Sequence, residues 1–279
     1  YGVFRIKSRG LQRFRQMTNS FFISLQSNTD GFLTRGGIFS SHGLTFRNNA
    51  QIRLRTNYFL PRWDDRNSRG NGMFKTDGRW FLHLAYGTDS AKKLAWSGTV
   101  SAQQEELDGN WTPGADFGFT LTPSDRLSLD LDLIYKRHDG WLLYRGGADF
   151  ATYEADNFQP RLSLDYFITA RQQLRLTMQW AGIKATARDY YVVPETDGDL
   201  LPRSIAADAN EDFTLSRLTS QLRYRWELGP LSDLFVVYTR GSSLADSDVS
   251  IGFEDLFSDA LSKPVVELLV VKLRYRFGT

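Results

Sequence analysis

At 279 residues, 24% of them charged and with a formal net charge of +2, the chain carries no global basic field, which removes nucleic acid from the expected partners. Cysteine is absent, so disulfide frameworks, thiolate metal sites and a cysteine nucleophile are excluded together. No run of about 18 apolar residues occurs, and the richest stretch, 265–271, is interrupted by Glu267, so a transmembrane helix is excluded and a closed β-barrel remains the one spanning solution.

Residues 1–16 carry Arg5, Lys7, Arg9, Arg13 and Arg15 without the apolar core of a signal peptide. The expectation is that residues 1–17 are an N-terminal segment or upstream strand, and that 18–279 form one outer-membrane β-barrel domain, the C-terminal part of a longer protein. From residue 18 onward, alternation with period two recurs, the mark of side chains that point to opposite sides of a strand. After a first candidate at 21–26, Leu44, Phe46, Ala50, Ile52, Leu54 and Tyr58 alternate with Arg47, Gln51, Arg53 and Arg55. Shorter patterns follow at Trp80, Leu82, Leu84 and Tyr86, at Leu94, Trp96 and Val100, and at Phe117, Phe119 and Leu121. Then Leu127, Leu129, Leu131, Leu133 and Tyr135 share one side while Ser128, Asp130, Asp132 and, past Ile134, Lys136 share the other. A helix would smear both sets around its surface. Leu162, Leu164 and Tyr166 continue the series, as do Leu174, Leu176, Met178 and Trp180, then Leu218, Leu222, Tyr224 and Trp226 against Thr219, Gln221, Arg223 and Arg225. A segment at 234–239 precedes the last, in which Leu269, Val271, Leu273, Tyr275 and Phe277 alternate with Val270, Lys272, Arg274 and Arg276. About eleven strands are legible, near the roughly 9 to 11 residues a tilted transmembrane strand needs, and barrels favour even numbers. The predicted fold is therefore all-β, an antiparallel transmembrane barrel of about 12 strands, range about 10 to 16.

The links alternate in length. Tight ones are expected at 88–93, 122–126, 169–172 and 228–231, where Pro, Gly and Asp supply turn chemistry. Long polar loops are expected at 61–78, 104–113, 139–156, 187–211 and 241–262. Short periplasmic turns and long extracellular loops are the barrel pattern, and they put the C-terminus in the periplasm of a Gram-negative cell. Aromatic residues, 14% of the chain, gather where strands meet links, as at Tyr58, Tyr86, Trp96, Tyr135, Trp180 and Trp226. A soluble β-sandwich or lectin-like protein that binds carbohydrate would alternate too, so strand length and loop asymmetry together favour the membrane.

Residues 213–241, Phe-Thr-Leu-Ser-Arg-Leu-Thr-Ser-Gln-Leu-Arg-Tyr-Arg-Trp-Glu-Leu-Gly-Pro-Leu-Ser-Asp-Leu-Phe-Val-Val-Tyr-Thr-Arg-Gly, resemble a recurring hairpin of one bacterial family. The run Trp63-Asp64-Asp65-Arg66-Asn67-Ser68-Arg69-Gly70, the stretch 158–190 and the terminal Val-Val-Lys-Leu-Arg-Tyr-Arg-Phe resemble it as well. That family is the uncharacterised domain-of-unknown-function 5916 family. The resemblance implies a C-terminal barrel that, in longer members, follows a carbohydrate-binding-like β-sandwich, and further strands upstream; it supplies no catalytic residues.

The residues that alternate with the apolar set are Arg53, Arg55, Asp130, Asp132, Asp165, Arg175, Arg223, Arg225, Lys272, Arg274 and Arg276, expected to face the lumen. Cations predominate there, so the wall either biases a pore toward anionic solutes or is a packed filling in which Arg pairs with Asp across the interior. Tyr275 and Phe277, aromatic residues near the periplasmic terminus, resemble an assembly signal for the barrel-assembly machinery. His42, His83 and His138 are too scattered for a metal cluster, and no cofactor is expected. Acidic loop residues Asp64, Asp65, Asp246, Asp248, Glu254 and Asp255 lack the spacing of a calcium loop. The expected function is non-enzymatic: a pore or transporter, or the membrane anchor of a carbohydrate-binding-like module. Its expected partners are outer-membrane lipid and lipopolysaccharide, and a glycan or small anionic solute. The alternative is an outer-membrane hydrolase using a rim histidine, His138 first.

Overall fold

The computed structural model describes residues 2–6, 14–204 and 211–277; the cations Lys7, Arg9 and Arg13 lie outside the described residues. In chain order the elements are β1 (Gly2–Ile6), β2 (Phe14–Ser27), β3 (Leu33–Phe46), β4 (Gln51–Phe59), β5 (Arg62–Asp64), β6 (Phe74–Thr76), β7 (Arg79–Gly87), β8 (Leu94–Gln104) and β9 (Trp111–Ser124). They continue with β10 (Leu127–Gly146), β11 (Asp149–Thr169), β12 (Gln172–Val192), β13 (Gly198–Asp199), β14 (Leu201–Pro202), β15 (Phe213–Gly229), β16 (Ser232–Asp246), α1 (Phe253–Ser262) and β17 (Val266–Arg274). One 14-stranded sheet dominates: β1, β2, β3, β4, β7 to β12, β15, β16 and β17 pair as neighbours in that order, and β14 pairs β12 off this path. Every pairing in it is antiparallel. The all-β antiparallel fold read from the alternation is therefore present. No described helix is long and apolar enough to cross a membrane.

Closure is where the expectation and the structure part. Among the described residues no pairing joins β1 to β17, so the sheet has two edges. β1 and β17 are the first and thirteenth strands of an antiparallel path and run the same way, so only a parallel pairing could join them, and none forms among the described residues.

Register assigns each residue to a side. Leu54 stands opposite Leu84, Leu84 opposite Val100, and Arg55 opposite His83, which stands opposite Ser101. The first row belongs to an apolar outer side, the second to a polar inner side. Outer side chains stay exposed across the sheet, among them Ile23, Leu54, Leu84, Val100, Phe117, Leu222 and Val271. Two tilted aromatic pairs bracket the outer side of β7, Tyr58 with Trp80 and Tyr86 with Trp96, each with ring centroids 4.9 Å apart. Trp80 and Tyr86 are six residues apart on one strand, about 20 Å at strand rise.

Five short links lie at one end of the sheet. These are 47–50, 88–93, 125–126, 170–171 and 230–231, and neighbouring ones are tied together: Asn49 donates to Asp89, which with the Ala91 amide holds that carboxyl below its ordinary range. The opposite end carries β5, β6, β13, β14 and α1. Here several expected loops are corrected. Residues 139–156, expected as a long loop, continue β10 and β11 to a two-residue turn at 147–148. Glycines that read as loop punctuation do other work: Gly140, at φ +99°, sits in a bulge between Asp139 and Trp141, and Gly146 (φ +126°) and Gly147 (φ +56°) make the turn. Likewise β12 runs to Val192, β16 to Asp246, and the link after β8 shrinks to 105–110.

The elevated β10–β11 hairpin is covered on both sides. One cluster buries Ala151, Tyr153, Ala155 and Ala185, with Phe213 and Trp141 against it. The other buries Phe74, Phe150, Val193 and Leu200, with Phe74 and Phe150 ring centroids 5.0 Å apart. Phe74 belongs to the link between β4 and β7, and β6 pairs in parallel with β13, in the link between β12 and β15. Those two links lie six strand spacings apart, roughly 29 Å along a flat sheet at about 4.8 Å per strand. Their pairing, with β5 packed beside β3 over the inner side, curls the sheet around its polar side.

Helix α1, expected as loop, packs on the outer side. Leu256 and Ala260 bury against Trp180 and Leu218, with Phe253 and Phe257 beside them. Gly182 makes room: a Cβ there would stand 2.4 Å from Trp180 Cη2 and 2.9 Å from Phe253 Cδ1. Gly182→Val is therefore expected to cost about 1–3 kcal/mol through overpacking. Faster hydrogen exchange in 253–262 would register it; unchanged exchange would contradict the close fit.

Candidate functional site

The polar inner side collects the charged residues singled out by alternation, because register carries one strand's inward residues onto the next. Arg53 stands opposite Ala85, which leads through Thr99 to Asp116. Asp165 stands opposite Arg175, Arg175 opposite Arg223, and Arg225 opposite Phe235, then Lys272; Arg274 stands opposite Asp233. Asp130 and Asp132 stand opposite Thr120 and Gly118. Arg276, Tyr275 and Phe277 follow the end of β17; the Arg276 amide donates to Ser232 Oγ at 3.1 Å, and the two rings meet at 5.0 Å.

The ion pairs on this side are local. Arg175 donates to Asp165 through Nε and Nη2, across the β11–β12 seam. Arg225 meets Asp233 at 2.9 Å across the β15–β16 seam. Asp130 accepts from Thr120 at 2.7 Å. None of these pairs crosses the interior, and Arg53, Arg55 and Arg223 have no ion-pair partner among the described residues. Directly opposed Arg175 and Arg223 add to the positive field. The filling expected from Arg–Asp pairs across the interior is thus not formed by these residues; the pairs brace neighbouring strands instead.

At the loop end a second cluster stands out that alternation missed. Arg62 and Arg79 both bond Glu106, at 2.7 and 3.3 Å. Arg79 also lies over the Phe59 ring, 5.1 Å from its centroid. The sequence signal available was a Trp63-to-Gly70 run dense in Asp, Arg and Asn, but what it packs against was not readable locally. Asp64 is buried and spent on the loop, accepting from the Arg66 and Asn67 amides and from Asn67 Nδ2. Asp246 and Asp248 likewise cap their own turn. Among the described residues no group of three or more His, Asp or Glu is placed to hold a metal ion.

His138 lies 3.2 Å from the buried Glu105 and stacks on Trp141 at 4.8 Å. Thr112 donates to the same Glu105 oxygen, so the hydroxyl serves the carboxylate and not the imidazole. Among the described residues no serine or threonine hydroxyl is bonded to His138 as a nucleophile would be. His83 faces the inner side beside Arg55, and His42 bridges Asn19 and Ser40 on β2 and β3.

A family model described as Domain of unknown function (DUF5916) matches residues 6–277, in agreement with the resemblance noted in the sequence. No curated protein matches the chain.

Proposed function

The chain belongs to the DUF5916 family, and from that premise we propose that it is the wall of an outer-membrane β-barrel, without enzymatic activity, that passes a small anionic solute. One observation carries the membrane part: the outer side keeps large apolar side chains exposed on strands from β2 to β17. Soluble monomers rarely expose a contiguous apolar patch beyond a few hundred Å². The aromatic pairs about 20 Å apart along β7 match the girdles that flank an apolar band about 25 Å tall. Lipid then covers the outer side, lipopolysaccharide surrounds the loop end, and the end with the links 47–50, 88–93, 125–126, 170–171 and 230–231 faces the periplasm. Tyr275 and Phe277, exposed at the periplasmic end, are available to the assembly machinery. In lipid the edges β1 and β17 must be paired, and an odd number of further strands closes the path antiparallel.

The solute part rests on Arg53, Arg55 and Arg223, whose charges are not cancelled by ion pairs among the described residues. A ring of such cations favours anions in a pore. In planar bilayers under a salt gradient, changing these three to Gln is expected to lower the anion-to-cation permeability ratio roughly fivefold, about 1 kcal/mol of lost attraction in a water-filled lumen. An unchanged reversal potential would remove the anion-selective reading.

A second reading has its own support. The β6–β13 pairing roofs the loop end, which fits an anchor for an attached carbohydrate-binding-like module better than an open channel. Absence of stepwise conductance from the barrel once further strands close it would favour this second reading.

A further inference from the structure

Beneath β5, at the loop end of the inner side, lies a cavity of about 470 Å³, within the range of small-molecule sites. Its walls are of two kinds. Phe39, Phe59 and Trp63 supply ring surface, with Phe39 and Phe59 packed edge to face at 5.6 Å. Arg35, Arg62 and Arg79 supply guanidinium groups. Two of those three share the single carboxylate of Glu106, and Arg35 has no ion-pair partner among the described residues. The acids of the lining are Asp64, which accepts three hydrogen bonds from its own loop, and Asp65, 3.8 Å from Arg66, a fourth lining arginine. Four guanidinium groups, those of Arg35, Arg62, Arg66 and Arg79, thus meet three carboxylates, Asp64, Asp65 and Glu106, which leaves one surplus positive charge beside half-buried ring surface. Ser24 and Gln26 add side-chain hydrogen-bonding groups at its β2 wall.

We propose that this cavity binds a sugar-sized, polyhydroxylated organic anion. Its carboxylate or phosphate group sits on Arg35 and the Arg62–Arg79 pair, where charge-assisted bonds are strongest. Its ring body lies against Phe39, Phe59 and Trp63, and its hydroxyls reach Ser24 and Gln26. The Glu106 clamp and the cation over Phe59 fix Arg62 and Arg79 before the ligand arrives, so little ordering remains to be done on binding. The site goes beyond the pore reading and does not depend on it, because equilibrium binding in detergent can fail while bilayer conductance stands, and the reverse.

The test is isothermal titration calorimetry on the detergent-solubilised chain with glucuronate, glucose 6-phosphate, glucose and an oligosaccharide ending in glucuronate. Both anionic sugars are expected to bind, with glucose at least about tenfold weaker, as loss of a charged hydrogen bond dictates. Arg35→Gln is expected to weaken the anions about tenfold and leave glucose unchanged, with Arg35→Lys in between. Arg35 is exposed and holds no internal ion pair, so this change leaves the fold intact; Gln26→Glu, which sets a like charge at the mouth, is a second variant that should weaken both anions. Binding of the oligosaccharide as tight as that of free glucuronate identifies a glycan end as the source, and binding of the free sugars alone identifies a solute. Equal affinity for glucose and glucuronate, no saturable binding of either anion, or wild-type affinity in both variants would overturn the proposal.

Discussion

Leu84→Arg is expected, on the membrane reading proposed above, to destabilise the chain in lipid vesicles by about 2–4 kcal/mol, the cost of an arginine facing hydrocarbon near the middle of a barrel wall. Leu84 lies mid-strand on β7, flanked across the register by Leu54 and Val100, and the three are 46%, 42% and 59% exposed. Its matched control is Thr99→Arg on the inner side, beside Asp116, where water and an acid receive the new charge; that change should stay within about 0.5 kcal/mol. Urea titration of vesicle-folded protein reads both. If the outer side faced water, Leu84→Arg would be as mild as any surface change, so equal effects of the two variants would sink the membrane assignment. A chain monodisperse without detergent would sink it independently.

Trp180→Ala is expected to cost about 3–5 kcal/mol, as large aromatic truncations in packed sites do. Trp180 is 3% exposed and meets Phe158, Phe253 and Phe257 edge to face, at 6.1, 6.2 and 5.4 Å. Its Nε1 donates to Ser216 Oγ at 2.9 Å, and Ser216 in turn donates to the Leu256 carbonyl at 2.7 Å, linking strand to helix. Truncation thus removes both the apolar seat of α1 and one end of a buried polar chain. Hydrogen exchange in 253–262 should rise toward that of an unprotected segment. Trp180→Phe keeps a ring and forfeits the bond, so about 1 kcal/mol is expected. Retained protection of α1 in Trp180→Ala would show that the helix is held by something else. The same seat is continuous with the ion pair of Arg240 and Glu267 at 3.3 Å on the outer side, where Arg240 also donates to the Leu261 carbonyl near the end of α1.

Much of this molecule could be read before folding. Leu127 to Tyr135 and Leu269 to Leu273 declare strands because alternation is a property of the backbone itself, and each side chain's face follows from its neighbours two residues away. That is why the apolar outer side, the row of charges on the other side and the tight turns expected at 88–93 and 228–231 were legible. Gly140 shows the limit. A glycine after Asp139 looks like a loop whether it ends a strand or bulges one, and only the pairing of its neighbours, Asp139 with Glu154 and Trp141 with Tyr153, decides between them.

The residue order alone thus determined the strand periodicity, the two-sided character of the sheet and its family. Tertiary structure decided how high β10 to β12 rise, that β6 meets β13, where α1 sits, and that Arg62 and Arg79 share Glu106 beside Phe59. Each of these joins residues distant along the chain, and no local pattern encodes which distant partner a side chain will find. Charge pairing shows the difference most clearly: alternation put Asp165, Arg175 and Arg223 on one side, but register made Asp165 the partner of Arg175 and left Arg223 facing the interior.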